Sequence, residues 1–89
     1  EHEAADAVGA ERARVTARLR DAGYRVPDSQ ANFVWLDLGA ASMDFARACV
    51  DAGVVVRPFD GDGVRVTVTN AVEDDVFLRF AESWDGPRS

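Results

Sequence analysis

Two arginines are the residues in this chain best suited to hold a ligand. Arg57 closes one apolar run and Arg65 opens the next, eight positions later. A guanidinium grips carboxylate or phosphate through two parallel N–H bonds. Between the arginines, Asp60-Gly61-Asp62-Gly63 reads as a tight turn or short loop. Such a turn would bring both guanidiniums to one end of a sheet and make an anion site. The alternative is that each arginine pairs with a nearby acid, Asp37, Asp60 or Asp62.

Little other chemistry is available. His2 is the only histidine and sits at the start of the chain, where a solvated role is expected. Without a usable histidine, no nucleophile, base and orienting acid can be assembled. No His/Cys/Asp cluster has metal-ligand spacing, so no metal residues are assigned. The aspartates of residues 60–63 lack the further ligands and closing glutamate of an EF-hand loop. The single glycines make no phosphate-binding fingerprint. Cys49 excludes an internal disulfide, and its apolar helical context predicts a small core residue. Neither catalytic nor cofactor-binding residues are therefore assigned.

The elements that must position the arginines follow from periodicity. A first helix is predicted from about Ala4 to Ala22, with Val8, Val15, Leu19 and Ala22 on one face and Gly23 as its C-cap. Arg12, Arg14, Arg18 and Arg20 lie around the remainder, which should be solvated. A short strand is expected at Tyr24 to Val26, ended by Pro27. Asn32 to Leu38 is apolar on both faces until Asp37, which predicts a central, covered strand. Ser42 would cap a second helix from Met43 to Ala52, with Phe45, Ala48, Cys49 and Ala52 as its apolar stripe. A strand at Val54 to Arg57 follows, and Pro58 forbids a continued central ladder.

Strand Val64 to Thr69 alternates cleanly. Val64, Val66 and Val68 share one face, and Arg65, Thr67 and Thr69 the other. Asn70 should cap a third helix, with Val76, Phe77, Phe80, Ala81 and Trp84 buried. Asp85 to Ser89 reads as a frayed tail. The fold class is α+β, a three- to four-stranded sheet with helices on one face. The valines should then face the helices, and Arg65 should face whatever covers the other side.

Composition bounds the rest. The 89 residues suffice for one compact domain, and the net charge is −6. That charge opposes nonspecific binding to nucleic acid or anionic membrane. No apolar run could span a bilayer. All ten basic residues are arginine, and the chain opens without methionine inside a helical pattern. Together these suggest a segment of a longer protein.

Three motifs give the chain a resemblance. Ser29-Gln30-Ala31-Asn32-Phe33 is similar to the "S-x-A-N-F" strand of class I/II aminotransferases. Gly53-Val54-Val55-Val56-Arg57-Pro58 resembles their "G-I-I-V-R-P", and Gly63-Val64-Arg65-Val66-Thr67-Val68 their "G-x-R-I-T-V-G". Order and spacing agree from about Glu11 to Trp84. The nearest likeness is to the aromatic (phenylalanine) and histidinol-phosphate branch, in its actinobacterial form.

The resemblance implies that residues 1–89 are a C-terminal small domain. A large domain outside this chain would carry pyridoxal phosphate on a lysine. Arg65 would bind the carboxylate of an amino acid or 2-oxo acid, or the phosphate of histidinol phosphate, with Arg57 as a second anion-binding residue. Asn32 and Phe33 would be structural first. The family also implies a cytoplasmic homodimer, and a chain without lysine would be inactive alone. The family's glycine after "R-I-T-V" is Thr69 here, which puts the backbone conformation at that position in doubt. A different class of reading is a stand-alone anion-binding α+β module.

Overall fold

The computed structural model describes residues 2–28 and 32–88, with side chains from residue 9 onward. Helix α1 (His2–Asp21) is followed by β1 (Phe33–Leu36), a 3-10 turn (Gly39–Ala41) and α2 (Ser42–Asp51). Strands β2 (Arg57–Phe59) and β3 (Gly63–Thr67) precede α3 (Ala71–Ser83). The strands form one antiparallel sheet in the order β1-β3-β2. The α+β expectation holds.

Alternation places the core. Val34 and Leu36 of β1 and Val64, Val66 and Val68 of β3 and its extension are buried. They meet Val15 and Leu19 of α1, Phe45 and Cys49 of α2, and Phe77, Leu78 and Ala81 of α3. Phe45 is the hub. Tyr24, Phe77, Phe80 and Trp84 all approach its ring edge-on, with centroids 5.0–6.4 Å away. Such pairings add about 0.5–1.5 kcal/mol each beyond area burial. The Cys49 thiol lies inside this core, and burial pushes its pKa up to about 12.

Asn70 caps α3 as expected. Its side-chain oxygen accepts from the Glu73 N–H at 3.0 Å. Thr69 keeps an ordinary backbone, because no described residue other than glycine has positive φ. Its N–H donates to Asp74 at 3.1 Å, so a side-chain contact stabilises the turn where the family has glycine.

Several expectations are corrected. The centre of the sheet is β3, and β1 is an edge. Its apolar character on both faces reflects cover: residues 24–26 run alongside it, and the Asp37 N–H donates to the Arg25 carbonyl. Those residues are not a strand. Tyr24 and Val26 are buried as core fillers instead, with the Tyr24 hydroxyl donating to the Ala81 carbonyl.

The strand expected from Val54 to Arg57 begins only at Arg57 and runs through Pro58. Pro58 is tolerated because β2 is an edge strand. Ser42 does not cap α2. The 3-10 turn moves the cap to Ala41, and the buried Ser42 hydroxyl donates to the Gly39 carbonyl at 2.6 Å. Ala46 takes the buried place expected of Ala52, and Leu78 that of Val76.

The arginines of α1 are bound rather than simply solvated. Arg14 bridges Glu11 and Asp75, and Arg18 grips Glu82 through two bonds of 2.9 Å. The tail is not frayed through residue 88. Arg88 donates to the Ala22 and Trp84 carbonyls, and its guanidinium lies 5.1 Å from the Tyr24 ring centre. Ser29, Gln30 and Ala31 of the first motif, and the side chains of His2 and Val8, lie outside the described residues.

Candidate functional site

The two candidate arginines face each other across the sheet. Arg57 of β2 is the direct cross-strand partner of Arg65 of β3, and Trp35 of β1 completes the row. Alternation turns all three to the side away from the helices, because Val64 and Val66 on either side of Arg65 are buried. The turn expected at residues 60–63 makes this register. The Asp62 N–H donates to the Phe59 carbonyl at 2.9 Å, and Gly61 takes a φ of +82° that L side chains rarely adopt.

Neither arginine pairs with Asp37, Asp60 or Asp62, or with any other described carboxylate. The described ion pairs use Arg14, Arg18, Arg20 and Arg47. Each candidate arginine lies instead against an aromatic ring. Arg57 sits 5.7 Å from the centre of Phe59 and Arg65 5.2 Å from that of Phe33. Phe59 lies toward the hairpin turn and Phe33 toward the far end of β3, so the guanidiniums lean apart. Like charges directly opposite repel, and leaning apart relieves this.

Trp35 closes the turn end of the row. Its indole meets Phe59 at 5.5 Å between centroids. It also lies across Gly63, where an added Cβ would come 2.5 Å from the ring. Gly63 is thus needed for close approach.

An open groove of about 290 Å³ runs beside the pair, lined by Val55, Val56, Arg57, Pro58, Arg65 and Thr67. Two unneutralised guanidiniums at an open groove can hold one carboxylate or phosphate group. Sequence reasoning missed the rings behind the arginines. Phe59 stands two residues beyond Arg57, hence on the same face, and Phe33 stands two before Trp35. Continuing the alternation through Pro58 would have found them.

A three-stranded sheet with helices on one side and an arginine pair outside the described ion pairs on the other defines a small α+β domain. The chain belongs to the aminotransferases of class I and II, whose family model matches residues 1–83. It is 60% identical over 79 residues to an aromatic amino acid aminotransferase of Mycobacterium tuberculosis H37Rv, covering 89% of this chain and 22% of that one. A relative of the same name from Mycolicibacterium vanbaalenii is 55% identical over 86 residues, covering 97% and 24%. A crystal structure from Burkholderia pseudomallei K96243, assigned as an aminotransferase, superposes with a TM-score of 0.77 at 29% identity. That match covers 84% of this chain and 24% of the other. The chain therefore spans about a quarter or less of the relatives it matches.

The family generally depends on pyridoxal phosphate. The residues present here do not fit that group as its carrier, because the sequence has no lysine to bond it. Among the described residues no helix is long and apolar enough to cross a membrane.

Proposed function

We propose that the full-length protein transfers an amino group between an aromatic L-amino acid and a 2-oxo acid with pyridoxal phosphate. Residues 1–89 are its small domain, and Arg65, supported by Arg57, binds the substrate carboxylate. The observation that carries the reading is the unpaired cross-strand arginine couple on the helix-free face, in a chain with 60% identity to aromatic amino acid aminotransferases. The identity favours aromatic substrates over histidinol phosphate, and the family match disfavours a stand-alone module.

When bound, pyridoxal phosphate would supply the amino-carrier chemistry, and this chain has no lysine to hold it. This domain contributes orientation. A guanidinium fork fixes both carboxylate oxygens, which sets the direction of the Cα–H bond. Phe33 and Phe59 lie against the two guanidiniums, 5.2 Å from Arg65 and 5.7 Å from Arg57. On the same reading the enzyme is a cytoplasmic homodimer whose large domain covers the arginine face.

Arg65→Ala in the full-length protein is expected to lower kcat/KM for phenylalanine by roughly thirtyfold or more. That corresponds to about 2 kcal/mol of charge-assisted bonding. Arg57→Ala should cost less, since its guanidinium is the more exposed. Unchanged steady-state kinetics in Arg65→Ala would remove the proposed role.

A further inference from the structure

Three aromatic rings stand on the arginine face, and they are not equivalent. Trp35 and Phe59 meet each other, with centroids 5.5 Å apart. Arg57 lies over Phe59, and both of these residues are exposed. Arg65 and Phe33 form a separate couple, with the guanidinium 5.2 Å from the ring centre, and both are half-buried. Phe33 pairs with Thr67 and Arg65 with Trp35, so the members of this couple are diagonal neighbours in the sheet.

The diagonal lean has a cause on each side of Arg65. Arg57 stands directly opposite on β2, and like charge repels from there. Trp35 stands directly opposite on β1, but its indole lies across Gly63 and against Phe59, toward the hairpin turn. Phe33 offers a ring face at the other end of the row. A cation over a ring is attracted more strongly where water is excluded, which favours the half-buried couple over the exposed one.

Phe33 stands behind Arg65 rather than in the site. The groove beside the arginines takes Arg65 and Thr67 into its lining and leaves Phe33 out. A carboxylate in that groove would meet the guanidinium and not the ring. A long side chain that is free before its ligand arrives must be ordered on binding, which weakens affinity. One already lying over a ring is ordered beforehand.

We infer that Phe33 is a positioning residue for the substrate carboxylate, its ring holding the Arg65 guanidinium in place before substrate arrives. The inference rests on the proposed role of Arg65. It goes beyond that role by assigning part of the site's affinity to a side chain outside the groove.

Steady-state kinetics of the full-length protein with phenylalanine test this. Phe33→Leu keeps an apolar side chain and removes the π face. It is expected to raise KM roughly threefold to tenfold, as the ordering of one long side chain moves into the binding step. The accompanying change in kcat should stay below about twofold, because the bound geometry is retained. Phe33→Tyr keeps the ring face and should leave KM close to that of the unaltered protein. In an Arg65→Ala background, Phe33→Leu should raise KM no further, since Phe33 acts through Arg65. A trifluorinated phenylalanine at position 33 keeps the ring's shape while drawing charge from its face, and it should also raise KM. This variant decides alone should Phe33→Leu fail to fold. An unchanged KM with the fluorinated ring would overturn the inference and leave the role of Arg65 standing. So would a Phe33→Leu effect of equal size with and without Arg65. Unchanged kinetics in Arg65→Ala alone would remove both.

Discussion

The two faces of the sheet treat their residues in opposite ways. On the helix side, Val34, Leu36, Val64, Val66 and Val68 are buried, and Arg14 and Arg18 of α1 are matched to acids of α3. On the other side, Arg57 and Arg65 stand opposite each other with no acid between them. In a chain with 16 acidic residues against 10 basic ones, an arginine pair without an acid is unexpected. The contrast separates stability from function. One face is closed by the chain's own residues, and the other holds two arginines that the described ion pairs leave out.

The largest effect should come from the closed face. Phe45→Ala removes the ring that four other aromatics approach. It is expected to cost about 3–5 kcal/mol, read by denaturant unfolding. A loss below about 1 kcal/mol would mean that the core is not centred there.

The seam between α1 and α3 should show a pH dependence of intermediate size. Asp74 is buried and faces Glu11. Burial first, then the Glu11 carboxyl, raises the Asp74 pKa to about 6. Arg14 first, with help from Asp74, holds Glu11 at about 2. The signs differ. Asp74 binds its proton more tightly when folded, so its contribution is full below about 3.8 and is lost as pH rises through 6. Glu11 binds its proton less tightly when folded, so its contribution is full above about 4.5 and is lost as pH falls toward 2.

Stability should therefore rise on going from pH 7.5 to about 5, by on the order of 1–2 kcal/mol, and fall in stronger acid. Asp74→Asn should flatten the upper limb in thermal melts. An unchanged slope would show that Asp74 is not the group responsible.

The smallest effect belongs to the open face. Arg65→Gln should alter stability by no more than about 0.5 kcal/mol, because it breaks no ion pair and relieves a like-charge contact. A loss of 2 kcal/mol or more would make Arg65 part of the scaffold and erase the distinction between the faces.

Much of this division was legible in the sequence. The alternation from Val64 to Val68 assigned both faces of β3, and with them the side on which Arg65 stands. Asn70 announced its helix through local capping chemistry. What escaped was non-local. The apolar run in β1 resembles a central strand, because cover by residues 24–26 imitates cover by a neighbouring strand. Ser42 lost its capping role to a 3-10 turn whose presence depends on Gly39 at positive φ. Arg88 was unreadable as a clasp, since its acceptors are mostly carbonyls brought together only by packing. The Arg57–Arg65 opposition depends on a register set by the turn, which spacing suggested but could not fix.

Phe33 and Phe59 divide each guanidinium by direction. A ring attracts the flat side of the ion, where the π-cloud meets the delocalised charge. A carboxylate attracts the rim, where the N–H bonds point. The two contacts use perpendicular parts of the same group, so an arginine resting on a ring keeps its donor fork in play. Each ring bounds its guanidinium on one side, at 5.2 Å for Arg65 and 5.7 Å for Arg57.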